Sequence, residues 1–203
     1  MILLQDHPLI QAINFPHASL PRAIGGLLPK IPSWEEISSV RRASAVLMLL
    51  IPPDQGRLHS RIVFIRRSSQ VRSHRGQIGF PGGRREPLDT SPSQTALRET
   101  HEELGIDPEL VTVLGMLPKA KSLDGMPVVP IIGVSPLSLD DLKPEPFEVE
   151  NTFAIEWPHF TLDQYLAFDM NIFGIWRKSG VFQTQGLKVW GLTAHVLCTA
   201  ALG

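Results

Sequence analysis

The sequence predicts an α/β domain in which strands and helices alternate around a sheet. Three observations predict it. Short apolar runs are closed off by proline and glycine, as buried strands are. One mid-chain segment has helical periodicity with a start signal and a stop signal. The C-terminal segment is apolar with a helical face, so helix must pack on sheet.

Residues 1–40 contain Pro8, Pro16, Pro21, Pro29 and Pro32, a density that predicts an irregular N-terminal arm with one short helix over 34–42. The domain proper is expected over 41–203. Ser44–Ile51 is continuously apolar and stops at Pro52-Pro53, which predicts a buried strand. Residues 61–66 form its neighbour across a turn at Asp54-Gln55-Gly56. A loop rich in Arg, Ser and Gly then leads to Phe80-Pro81-Gly82-Gly83. Ser91 suits a helix N-cap, Pro92 the first turn and Gly105 the C-terminal cap. Strands are predicted over 110–116, 128–134, 153–157 and 172–176, a proline-rich connection over 135–147, and helices over 161–168 and 189–202.

Composition removes several function classes. Hydrophobic residues make up 43% of 203, enough for a core, so a disordered chain is excluded. A net charge of -1 gives no footprint for a nucleic-acid polymer. The single cysteine, Cys198, allows neither an internal disulfide nor a cysteine-based zinc site, and its apolar neighbours mark it as a core residue. No apolar run reaches membrane length. Asp6 and Pro8 interrupt the N-terminal apolar patch, which lacks a basic lead, so no signal peptide is expected. The expected location is the cytoplasm. The sequence is silent on oligomeric state and allows a homodimer.

The chemistry concentrates in Arg98-Glu99-Thr100-His101-Glu102-Glu103-Leu104-Gly105. On a helix Glu99, Glu102 and Glu103 share one face, while Leu97, Thr100 and Leu104 fall roughly opposite. Like charges so spaced repel. Arg98, four residues before Glu102, can orient it, and a hard divalent cation would offset the repulsion further. Spacing alone leaves a solvated acidic face equally open. His74 and His101 are read as structural.

Gly82-Gly83, Asp89 and Arg98-Glu99, Glu102-Glu103, Gly105-Ile106 together resemble the Nudix box. Asp89 stands where that pattern has glutamate, eight residues rather than seven separate it from Arg98, and Thr100 replaces an aliphatic. A second block, Phe64 to Gly83, is similar to the extra motif of bacterial coenzyme A pyrophosphatases, with Arg72, Gly76 and Phe80 at its fixed gaps and Arg66 in place of a threonine. Further likeness runs through Leu117-Pro118, residues 128–136, Glu148-Val149 and residues 189–193, so the resemblance covers about 44–203. It implies the Nudix fold, an α/β/α sandwich with a mixed sheet. It also implies Mg²⁺ or Mn²⁺ on Glu99, Glu102, Glu103 and the Gly83 carbonyl, and a small nucleotide partner, coenzyme A. Arg66, Arg67, Arg72, Gly76 and Phe80 would bind that substrate. Catalysis would fall to Glu99, Arg98 and Glu102, with Glu99, Glu148 or Glu150 as base. Another nucleotide, such as ADP-ribose or a dinucleoside polyphosphate, and a non-catalytic binding module are the rival expectations.

Overall fold

The computed structural model describes residues 17–20, 28–37, 42–71, 73–122, 124–160, 164–172 and 174–202. One sheet contains β1 (Ser44–Ile51), β2 (Arg61–Arg67), β3 (Ile78–Gly79), β4 (Gly82–Arg84), β5 (Thr112–Met116), β6 (Ala120–Lys121), β7 (Pro127–Val134) and β8 (Val149–Glu156). A second contains β9 (Tyr165–Ile172), β10 (Ile175–Thr184) and β11 (Leu187–Trp190). Helices among the described residues include α1 (Trp34–Ile37), α2 (Pro92–Leu104) and α3 (Gly191–Leu202). Within the large sheet β1 and β7 run parallel, from Ser44 beside Val128 to Leu50 beside Val134. The remaining pairs are antiparallel, so the sheet is mixed.

Strand alternation sends successive side chains to opposite faces. Leu47, Leu49, Val63 and Ile65 pack with Ala96 and Leu104 of α2. Met48, Leu50, Ile62 and Phe64 pack with Ala194 and Leu197 of α3. Both faces of β1 and β2 are therefore covered, which is why these strands are apolar runs rather than alternating ones. The segment before residue 41 contributes to both layers: Leu20 and Leu28 join the α3 side, and Trp34 joins the α2 side.

Four expectations change. The strand predicted over 172–176 is divided by a turn at Gly174, with Ile172 ending β9 and Ile175 opening β10. The helix predicted over 161–168 is not present from 165 onward, where β9 runs; residues 161–163 lie outside the described residues. Its apolar spacing suits a helix, but Tyr165 to Ile172 pair along β10, and Tyr165 packs on Phe182 with centroids 5.1 Å apart. Tertiary pairing here overrides local preference. The terminal helix starts at Gly191 rather than 189, because Val189 and Trp190 complete a hairpin with β10. The early helix covers Trp34–Ile37, with 38–41 outside the described residues.

Candidate active site

Helix α2 begins as its sequence dictates. The Ser91 hydroxyl accepts the Gln94 N–H, and Gly105 ends the helix at φ 67°, donating its N–H to the His101 carbonyl. Thr100 is buried, and its hydroxyl donates to the Ala96 carbonyl at 2.7 Å. A threonine thus serves at an apolar position because its one polar group is satisfied within the helix.

The three glutamates diverge. Glu102 is half exposed. Glu99 leans on the Gly82-Gly83 turn so closely that a Cβ on Gly83 would sit 2.5 Å from the Glu99 carboxyl carbon. Only glycine leaves that carboxylate its place. Glu103 is fully buried and accepts the Gly82 N–H at 2.8 Å and Arg67 Nη1 at 2.9 Å. Gly82 itself has φ +140°, and a Cβ there would lie 2.6 Å from Val46 Cα.

Arg98 is the hub. It donates from Nη1 to Glu102 (3.0 Å) and from Nη2 to Glu99 (3.1 Å) and the Arg84 carbonyl (2.9 Å). Its Nε and Nη2 fork onto the two oxygens of Asp89 at 3.2 and 3.1 Å. Asp89 is buried, and also accepts the Glu86 N–H and the Thr95 hydroxyl. Sequence reasoning treated Asp89 as a displaced member of the box. The structure makes it the anchor of Arg98, a role that spacing could not reveal because the loop from 84 to 91 folds back.

Burial and charge separate these carboxyls. Desolvation would raise Asp89, but the hydrogen bonds from Arg98, Glu86 and Thr95 outweigh it and hold Asp89 below the usual range. Desolvation raises Glu99, and the charges of Glu102 and Glu148 add to it against Arg98. Desolvation pushes Glu103 up to about 7, despite the Gly82 N–H and Arg67, with Glu99 and Glu148 contributing. Of the two later carboxylates weighed as base, Glu148 is the one whose charge bears on Glu99 and Glu103. Its backbone is fixed to the site where its carbonyl accepts the Ser68 N–H.

The raised Glu103 pKa has a stability consequence. A carboxyl whose folded pKa exceeds its unfolded value stabilises the fold fully at low pH, and that contribution is lost as pH rises. In chelator-treated protein the melting temperature should therefore fall between about pH 4.5 and about 7. The Glu103→Gln variant should flatten that slope. Equal slopes in the two proteins would remove Glu103 as its source.

The expected substrate residues separate. Arg66 lies on β2 and makes no ion pair among the described residues. Arg67, after a bulge in the β2–β8 pairing, turns to the α2 side and binds Glu103. Gly76 closes the β2–β3 loop at φ +67°, donating its N–H to the Arg67 carbonyl. Arg72 lies outside the described residues. Phe80 is buried in the apolar layer under α3, its ring 5.3 Å from that of Phe64. His74 bonds Gln77, and His101 bonds the Ile106 carbonyl beyond the helix end, both structural contacts.

The donor set suits a hard divalent cation: carboxylate oxygens, crowded by like charge, beside a glycine that keeps backbone and Glu99 in contact. Among the described residues no three acidic, histidine or cysteine side chains converge as a ready-made ion cage. Arg98 takes up the charge of Glu99 and Glu102 instead. Among the described residues no helix is long and apolar enough to cross a membrane.

The NUDIX domain family profile matches residues 41–168. A protein of Enterobacter sp. (strain 638) named "Uncharacterized Nudix hydrolase NudL" is 35% identical over 165 residues, spanning 80% of this chain and 82% of the relative. A protein of the same name from Photorhabdus laumondii subsp. laumondii is 35% identical over 167 residues, spanning 82% and 87%. Among solved structures, the Nudix hydrolase RenU of M. smegmatis is 22% identical, with a TM-score of 0.48, over 59% of this chain and 73% of that one. With a family profile that covers most of the domain and relatives alike over four-fifths of the chain, the protein belongs to the Nudix hydrolase family.

Proposed function

We propose that this Nudix hydrolase cleaves the diphosphate of coenzyme A and its derivatives, giving 3′,5′-ADP and 4′-phosphopantetheine. The observation that carries the reading is the β2–β3 loop. It leaves β2 at Arg67, which binds Glu103, and returns through Gly76 to the Gly82-Gly83 turn under Glu99. A loop holding Arg72 and Arg75 is thereby tied at both ends to the carboxylate cluster. Its motif resembles that of coenzyme A pyrophosphatases. Coenzyme A carries a diphosphate and a 3′-phosphate, and arginine suits bidentate contacts to phosphate oxygens.

Glu99, Glu102, Glu103 and the Gly83 carbonyl would hold Mg²⁺ or Mn²⁺. Glu103 remains eligible, because a carboxylate has about four lone-pair sites and its two hydrogen bonds use only part of them. A bound divalent cation neutralises diphosphate charge and lowers the pKa of a bound water. Arg98 orients Glu99 and Glu102 and is itself fixed by Asp89. Glu99 or Glu148 accepts the proton of the attacking water. The new bond joins the water oxygen to one phosphorus, and the bond from that phosphorus to the bridging oxygen breaks. Arg66, Arg72 and Arg75 would supply the cations for the substrate phosphates.

The test is a nucleotide panel with Mg²⁺ or Mn²⁺ and product identification by mass. Coenzyme A split between its phosphates is the expected result. Faster cleavage of ADP-ribose or a dinucleoside polyphosphate would overturn the substrate. Tight binding without turnover would favour a binding module.

A further inference from the structure

We propose that Trp34 is a positioning residue for the carboxylate cluster: through Thr95 and Asp89 it fixes Arg98, and so limits how strongly Arg98 competes with a divalent cation for Glu99 and Glu102. The inference rests on the metal-dependent reading above and extends it to the segment before residue 41, which the family profile leaves out.

The link is continuous and buried. Trp34 is 1% exposed and wedged against α2 and β1. Its backbone N–H donates to the Thr90 carbonyl at 3.0 Å, and Arg85 stacks over its ring at 5.6 Å. The indole Nε1–H donates to Thr95 Oγ1 at 3.0 Å, and that hydroxyl donates to Asp89 Oδ2 at 2.9 Å. Asp89 then holds Arg98 by two guanidinium nitrogens.

The indole matters because a threonine hydroxyl has one proton and a choice of acceptors. In a helix the usual choice is the carbonyl four residues back. For Thr95 that is Ser91, whose carbonyl lies 3.5 Å from Oγ1. Trp34 fills a lone pair of Oγ1 and so directs the proton to Asp89. Without the indole N–H, the hydroxyl is free to turn to Ser91, and Asp89 loses one of its donors. Asp89 then holds Arg98 less firmly. Arg98 already contacts Glu99 and Glu102, and a loosened guanidinium shifts toward them. There it opposes the cation directly.

Mn²⁺ binding to the full chain without substrate, read by the electron paramagnetic resonance of free Mn²⁺, tests this. Trp34→Phe keeps the aromatic packing and removes the donor. It should weaken Mn²⁺ binding about three- to tenfold, the effect of one lost hydrogen bond. Thr95→Val should do the same, and Thr95→Ser should bind as wild type. The double variant W34F/T95V should bind no more weakly than T95V alone, since both act through one hydroxyl. Leu28→Ala, in the other core layer, should lower the melting temperature and leave Mn²⁺ affinity unchanged. Wild-type affinity in T95V, or additive losses in the double variant, would overturn the inference. A wild-type chain that binds no Mn²⁺ overturns the metal-dependent reading, and this inference with it. If W34F does not fold, the contrast between T95V and T95S still decides.

Discussion

The Glu102→Gln chain should keep its fold and lose at least about a hundredfold in kcat, the usual cost of removing one preorganised electrostatic group from an active site. The two halves of this expectation have separate physical sources. Glu102 is half exposed, and it pairs with Arg98, four residues earlier on the same helix. Exposed pairs of that kind contribute about 0–1 kcal/mol, so the melting temperature should move little. The rate depends instead on charge. Glutamine has the shape of glutamate but no anionic oxygen, and it would neither hold a hard cation nor balance Arg98. Circular dichroism and turnover measured on one preparation check both halves. Wild-type-like turnover would sink the assignment of Glu102 to the metal platform.

Removing Arg98 should damage fold and activity together. In the Arg98→Ala chain the buried Asp89 loses its counter-charge and two of its donors. Stranding a buried carboxylate in this way costs about 3 kcal/mol, the lower part of the range because Arg98 keeps 22% of its side chain exposed. Glu99 and Glu102 would meanwhile face each other, and Glu148, without the Arg98 charge that offsets them, so their order is lost as well. Lysine restores a charge but not the fork. A single ammonium does not span Asp89, Glu99, Glu102 and the Arg84 carbonyl at once. Arg98→Lys should therefore recover part of the stability and little of the rate. Denaturant unfolding and kcat, compared across wild type, Arg98→Lys and Arg98→Ala, check the order. Full activity in Arg98→Lys would show that charge alone suffices.

The contrast between these two residues separates what was legible in the chain from what was not. Arg98, Glu99, Glu102 and Glu103 are readable because a helix imposes its own spacing, and the caps at Ser91 and Gly105 frame it. The apolar runs within β1, β2 and β7 are readable because the stretch of a strand that is covered on both faces is apolar throughout. The sequence by itself thus determined a capped acidic helix on a buried sheet, a glycine turn before it, and an arginine-bearing loop leading in.

Only the tertiary structure decided how those parts are used. It sent Glu103 inward to Gly82 and Arg67, left Glu102 outside, brought Glu148 beside the helix and buried Phe80. It turned 165–168 into strand, because a partner in β10 outweighs local helical spacing. It also made Asp89 the anchor of Arg98 and tied Trp34 to both. The physical reason is common to all of these. Local periodicity fixes which side chains share a face, whereas the depth of each side chain and its partner depend on segments far apart in sequence, which meet only when the sheet closes over its core.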